Sequence, residues 1–538
     1  MISATQVLER HNDLKATRAL VEPQWRDLAK LFQPEDADMF NGNNKNRVYE
    51  DLFDATQLYA LESFSGGIFG QLTNPTNRWF SLTLPDKDLA KYQPVRAWLR
   101  TVEDVIYASI SPAVSNFYNE VPAWLADLGC FGMGVLYQEE SLGKGRIIDR
   151  CIPLSESYIA LDADGDVDTF HRSFKLRGDM AKRKYPELAA LGPAVNDKNE
   201  YVFVHAVMPN PEFQPGRLGT AGAPYLSVTV CEQLKAFQRI RSYRDFPYAT
   251  VMWKRRAGRT YPVGPGHMAL PDVSMLQEME RTNLVAAQFA AEPPTLAPDE
   301  AAFTAADIVP NALLYGAVNE RGQALAQTLN RAQNLNLSNE AAERRRQAIR
   351  EAFYFGVMQL VNRPQMTATE FLGFQEENLR LMAPNLARVQ SQGLSPYLQR
   401  RYRILDRAGQ LPEPPEELDG QRLELDYVSP LAKLQKAGEA RAVLGWVAGL
   451  QQLAAAAEDR GIMDNLDGDA AAAVLHEAYG PPPIVQRDPR KVEEIRSNRA
   501  AMAERQIALE QQGQEVEIAA TAAHAAQAAT LSDGRAAA

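Results

Sequence analysis

Only three cysteines occur in 538 residues, and Cys130, Cys151 and Cys231 form no CxxC pair. That excludes a disulfide-stapled secreted scaffold and predicts assembly in a reducing, intracellular setting. No run of about 18 apolar residues exists, so no membrane span is expected. The least polar stretch, Ala442–Ala457, carries Gln451 and Gln452 and reads as a buried helix. Met1–Gln6 begins no signal peptide, and acidic residues soon follow. Positive charge is short as well: 57 Lys and Arg stand against 68 Asp and Glu, a net charge of −11. Proteins that coat nucleic acid draw on clustered Lys and Arg, so that class is disfavoured. A pore that passes DNA without gripping it is not.

Catalytic signatures are equally sparse. Gly143-Lys144-Gly145 lacks the upstream Gly and the following Ser or Thr of a phosphate-cradling loop, and reads as a hairpin turn. The six histidines, His11, His171, His205, His267, His476 and His524, hold no metal-ligand spacing with one another or with a cysteine. No Gly-x-Ser-x-Gly elbow occurs. The acidic run Asp162–Asp168 tempts a calcium reading, but Val167 and Ser173 stand where an EF-hand needs Gly and Glu. Asp164-Gly165 there is a type I′ hairpin signal. The chain is expected to be no enzyme, with no catalytic residues, no metal and no cofactor.

What is present is length, a 45% hydrophobic share able to build a sizeable core, and two to four domains' worth of pattern. Apolar residues at helical spacing predict a helix over Val7–Phe32, then others over Asp51–Leu72, Val95–Ile110 and Glu120–Gly129. Seven strand-like runs follow between Gly134 and Tyr243, punctuated by turn residues, so the fold class is α+β with a mostly antiparallel sheet. Asp272 is positioned to cap a helix to Ala291, stopped by Glu292-Pro293-Pro294, and Ser338 one that reaches about Leu360. Asn362-Arg363-Pro364-Gln365 then breaks the pattern, and Thr367-Ala368-Thr369-Glu370 is a capping box that starts a long helix. Gln410–Glu417 reads as a boundary. Helices are expected over Leu431–Gly461 and Gly468–Tyr479, before a charged, then Ala- and Gln-rich, tail. The basic run Arg344, Arg345, Arg346 and Arg350 allows two readings. One is a solvated helix face paired with Glu340, Glu343 and Glu351; the other is a ring of positive charge lining a pore.

Several segments, in order, resemble the head-to-tail connector (portal) family of short-tailed bacteriophages. Arg18, Trp25 and Pro34 come first, then Tyr49–Asp54, Leu72-Thr73-Asn74-Pro75 and Arg78-Trp79-Phe80. Ser115-Asn116-Phe117, Leu128–Gly134, Asp164-Gly165 and His171-Arg172 follow, then Gly264–Asp272, Glu292-Pro293-Pro294 and Thr367–Glu370. Singly these are weak; their order and spacing make the set specific. Beyond about Asp419 the likeness rests on helical character and length.

The resemblance implies a homo-oligomeric ring, usually a dodecamer, in the virion at one capsid vertex. It also implies an architecture of α/β wing, two-helix stem, small α/β clip and helical crown. Laid on this chain, the wing is 1–266, the first stem helix 267–291, the clip 292–337 and the second stem helix 338–360. A channel loop, 361–366, and a long helix returning to the wing, 367–418, precede the crown, 419–487, and a tail, 488–538. Implied partners are other copies of the chain, double-stranded DNA passing without sequence preference, a terminase motor, a tail adaptor, and capsid and scaffolding proteins, with no membrane. In that family a loop at the break reaches the channel axis, so Val361, Asn362, Arg363, Pro364, Gln365 and Met366 are expected to narrow the pore. The alternative is a packed corner with Arg363 paired to a carboxylate. Apolar residues of the first stem helix, Leu276, Met279, Val285 and Phe289, are expected to be buried by neighbouring subunits. Two other classes compete. A scaffolding or core protein would be helical throughout, unlike Gly134–Tyr243; a DNA-processing enzyme would need a phosphate loop or a carboxylate metal site.

Overall fold

The computed structural model describes residues 2–36, 52–86, 89–90, 92–141, 146–186, 188, 195–291, 295–296, 321, 323, 327–328, 335–358, 382–418, 423–427, 430–457, 460–479, 487, 491–507, 518 and 520–521. The chain divides into two compact units, Met1–Ala90 with Val95–Leu431, and Lys91–Pro94 with Ala432–Ala538.

The first unit opens with α1 (Ala4–Ala19), started by a capping box in which Ser3 and Gln6 satisfy each other's amides. The single helix expected over Val7–Phe32 is two, because Pro23 has no amide to continue the ladder and clashes with the preceding turn. Proline is tolerated in a first turn, and α2 (Glu22–Phe32) starts there, burying Trp25, Leu28, Ala29 and Phe32. Next come α3 (Thr56–Leu72), β1 (Phe80–Thr83), α4 (Gln93–Ile110) and α5 (Phe117–Phe131). Gly132, left-handed at φ 79°, ends α5.

The strand region follows the short runs and turns read from the sequence. β2 (Met133–Ser141) and β3 (Arg146–Cys151) are antiparallel, and Gly143-Lys144-Gly145 between them lies outside the described residues. β4 (Ser157–Leu161) and β5 (Val167–Arg177) form the expected hairpin, but its loop holds five residues, longer than a type I′ turn. The reason is Asp162, whose Oδ1 accepts the amides of Asp164, Gly165 and Asp166 at 2.7–3.0 Å. After α6 (Gly178–Lys184), β6 (Glu200–Pro209), β7 (Tyr225–Cys231) and β8 (Ala236–Tyr243) complete an antiparallel sheet in the order β4-β5-β6-β7-β8. β9 (Tyr248–Met252), buried at all five positions, joins β2 and β3 in a second sheet of order β3-β2-β9.

α7 (Pro265–Ala291) starts seven residues before the expected cap at Asp272 and runs through Pro271. α8 (Leu335–Ala352) also begins before its expected cap at Ser338. It stops short of Leu360, because Tyr354 takes a left-handed φ of 55° before the short α9 (Phe355–Met358). Between α7 and α8 the described residues include an antiparallel pair, β10 (Thr295–Leu296) and β11 (Gln327–Thr328). The capping box at Thr367–Glu370 lies outside the described residues. A helical run from 382 passes through a π segment, Val389–Leu394, into α10 (Ser395–Arg407), which ends at the left-handed Gly409. β12 (Glu424–Tyr427) then pairs with β1, tying residues past the expected boundary to this unit. Trp25, Phe64, Trp124, Phe131, Phe353 and Tyr397 are fully buried in its core. In the second unit are α11 (Pro430–Ala456), α12 (Gly468–Tyr479) and a helix over 491–507, where Arg496 grips both oxygens of Asp469 at 2.6 Å.

Candidate functional site

The charged and apolar residues singled out above converge on α7 and α8, which pack side by side. The start of α7 is set by main chain meeting main chain. A Cβ on Gly132 would fall 2.5 Å from Gly264 N, and one on Gly264 would fall 2.6 Å from Gly132 N. No larger residue fits either place without displacing backbone, and Gly132 also needs its positive φ. Pro265 and Gly266 are buried at this crossing, so the helix begins ahead of the cap expected at Asp272. Farther along, Gln277 is buried and fully used. Its Oε1 accepts the amides of Phe53 and Asp54 at 2.7 and 3.1 Å, and its Nε2 donates to Asp54 O at 2.8 Å. That fixes the lead-in of α3 to one flank of α7.

Arg346 joins three elements. It reaches Asp54 at 2.8 Å, Glu280 at 2.6 Å and Glu343 at 3.2 Å. Burial pushes the Asp54 carboxyl up, but hydrogen bonds from Thr56 and Arg346 outweigh it and hold the group below its ordinary value. Arg345 pairs with Asp272 at 2.7 Å, and Arg350 with Glu343 at 3.1 Å. Arg344 is exposed, and among the described residues no carboxylate pairs with it. Of the local partners expected, Glu343 serves, whereas Glu351 takes Gln347 at 2.9 Å and Glu340 is exposed. The missed partners, Asp54, Asp272 and Glu280, come from elsewhere in the chain. Leu276, expected to be covered by a neighbour, is instead buried within its own chain, while Val285 and Phe289 are exposed. Val361, Asn362, Arg363, Pro364, Gln365 and Met366 lie outside the described residues.

The motif residues farther from these helices hold the body together. Arg18 donates to the carbonyls of Leu154, Ser155 and Ser157 at 2.8–3.0 Å and to Tyr158 Oη at 2.8 Å. Its guanidinium lies 3.7 Å over the Tyr158 ring. Ser115 donates to Asp149 at 2.6 Å, and the same carboxylate takes Arg401 at 2.8 Å, with the pair 0% and 1% exposed. His205 is bonded at both ring nitrogens, by Tyr248 at 2.6 Å and Ser227 at 2.9 Å, and burial pushes it down to about 3. His11 and His171 stack, ring centroids 5.7 Å apart, where α1 crosses the sheet. Among the described residues no three His, Cys, Asp or Glu side chains gather as a metal site, and no helix is long and apolar enough to cross a membrane.

What this fold and site define is a structural subunit whose gathered charges join its own helices. The chain belongs to the bacteriophage head to tail connecting proteins, the portal family, which matches residues 4–485, and it serves as a head-to-tail connector of the virion. The portal protein of Salmonella phage epsilon15 is 27% identical over 93% of this chain and 91% of its own length. The probable portal protein of Bordetella phage BPP-1 is 26% identical over 94% and 93%. Among solved structures, a chain of the "neck of empty GTA particle computed with C6 symmetry" matches 75% of this chain and 90% of its own at 11% identity. Its TM-score is 0.38, too distant a likeness to carry an argument.

Proposed function

We propose that this connector closes into a dodecameric ring at one capsid vertex, through which double-stranded DNA enters during packaging and leaves on ejection. The match over residues 4–485, nearly the whole chain, carries this reading. The ring assembles in the host cytoplasm with capsid and scaffolding proteins, docks a terminase motor and later a tail adaptor, and hydrolyses nothing itself. Within it, 1–266 form the wing, 267–291 and 338–360 the stem, 292–337 the clip and 419–487 the crown. The long helix of 367–418 returns to the wing, and the tail is 488–538. A net charge of −11 suits a wall that DNA must slide past. No base-reading element is required, because any sequence must pass.

At 361–366 the loop narrows the channel, and Arg363 gives a local ring of positive charge on an acidic protein. The solvent-facing Arg344 is a second candidate for meeting phosphate, since Arg345, Arg346 and Arg350 are already paired within the chain. Negative-stain microscopy of the purified full chain tests the reading directly: rings with a central hole are expected, and a monodisperse monomer at micromolar concentration across salt conditions overturns it. Shortening 361–366 should leave rings intact while virions lose packaged DNA. Normal filling and retention would remove the gating role.

A further inference from the structure

A cavity of about 320 Å³ opens in the first unit where β2, β8, α10 and the loop between β6 and β7 meet. A water takes about 30 Å³ of liquid, so a small ion fits here together with part of its hydration shell. The loop is pinned by Asn210, whose Nδ2 donates to Thr220 O and Ala223 O, both at 2.9 Å, and by Gln214 N on Ala221 O at 2.8 Å. It carries Arg217 on the cavity wall. Two arginines of that wall are already answered, Arg241 by Glu139 at 3.6 Å and Arg407 by Glu140 at 3.1 Å. Three are not. Among the described residues no carboxylate pairs with Arg217, Arg244 or Arg400. On a chain of net charge −11, this wall keeps a local surplus of positive charge.

Arg400 makes that surplus costly. It is 4% exposed, and its Nε and Nη1 donate to neutral carbonyls, Gln138 O at 3.3 Å and Asp245 O at 2.6 Å. Its guanidinium lies 4.9 Å from the centre of the Tyr243 ring. Its Nη2 has no hydrogen bond among the described residues, and the side chain lines the cavity. Burial pushes the Arg400 guanidinium below its ordinary value, as it does for a cation desolvated without a counter-charge. The nearby Asp245 carboxylate is taken by Arg403 and, at 3.8 Å, by Arg407. The three unanswered guanidiniums reach the cavity from a loop, a strand end and a helix. A carboxylate is planar, and one arginine grips both its oxygens. A phosphate turns oxygens toward several donors at once, and along a nucleic acid each step adds another charge.

We propose that this cavity binds a phosphate group, with Arg400 Nη2 at its floor and Arg217 and Arg244 at its rim. All three residues belong to one copy of the chain, so the proposal stands apart from the ring reading. The full chain, in a phosphate-free buffer, is titrated calorimetrically with sodium phosphate. Sodium chloride and sodium glutarate at matched ionic strength, and a short DNA duplex, are the comparison ligands. Saturable phosphate binding is expected, weakened at least about tenfold in Arg217→Ala with Arg244→Ala, which removes two charge-assisted donors. Both residues are exposed, so that variant should keep the wild-type thermal midpoint. A duplex that competes with phosphate supports the proposal with nucleic acid as the source of the group. Phosphate binding that the duplex leaves untouched supports it with the free ion as the source. Equal phosphate binding by wild type and variant, no saturable binding, or glutarate or chloride bound as tightly as phosphate, overturns it.

Discussion

The two ends of α7 are one continuous helix with opposite surroundings. From Pro265 to Gln277 it buries Ala269, Val273 and Leu276 against its own body and spends its polar side chains on α3 and α8. From Leu284 to Phe289 it shows solvent Leu284, Val285 and Phe289, each more than 40% exposed. Burial of a leucine or phenylalanine is worth about 1.5–3 kcal/mol. The core-facing side of the near end therefore stabilises the subunit, whereas Leu284, Val285 and Phe289 at the far end contribute little of this kind within it. Under the ring proposed above, one helix is specified twice along its length, once for folding and once for assembly.

The largest effect is expected in the body that carries the near end, from Arg401→Ala. It strands the buried Asp149 carboxylate and should cost about 3–5 kcal/mol in chemical denaturation, most of it recovered by Arg401→Met with Asp149→Leu. Leu276→Ala comes next, at about 3 kcal/mol, from a position that is 0% exposed in the isolated subunit. A loss near zero would mean that the near end, too, waits for a neighbour.

Acid tests the body in a similar range. Burial, then Lys15 and Arg18, push His11 down to about 4 from 6.5, and burial, then the charges of His11, Arg10 and His205, lower its stacked neighbour His171 as well. Below pH 6.5 the unfolded chain takes up protons that the folded chain refuses until about pH 4. Stability is therefore whole above pH 6.5 and falls through that window, by about 3 kcal/mol from His11. His11→Gln should flatten that fall in denaturation midpoints taken from pH 7 to 4; an unchanged slope would place its source elsewhere. The smallest expected effect is at the far end. Phe289→Ala should change subunit stability by less than about 0.5 kcal/mol while weakening the ring measured by mass. A large loss of subunit stability would erase the contrast between the two ends.

Much of the body was legible in the sequence because its signals are local. The β-like run Tyr201–Met208 and the Asp164-Gly165 turn announce β6 and the β4–β5 hairpin without outside help. β1 and β12 were not legible. Each is four residues long, and the register Phe80↔Tyr427 joins positions separated by most of the chain. The early start of α7 was hidden for the opposite reason: Asp272 carries the cap signal, and only the packing of Gly264 on Gly132 and of Gly266 on Cys130 reveals the helix beginning ahead of it. The arginines on α8 were visible as a run, but spacing along one helix cannot show that Asp54, Asp272 and Glu280 arrive to meet them.

The crossing of Gly132 and Gly264 has a mechanical meaning. Side chains at a joint act as springs, since rotamers shift and soft contacts give. Here the main chains touch with nothing between them, and Gly132 O also holds Trp253 N at 2.8 Å. The root of α7, the end of α5 and the start of β2 form one stiff corner. A push along α7 is carried into the β3-β2-β9 sheet with little lost to compliance, so the helix behaves as a lever with its fulcrum built into the backbone.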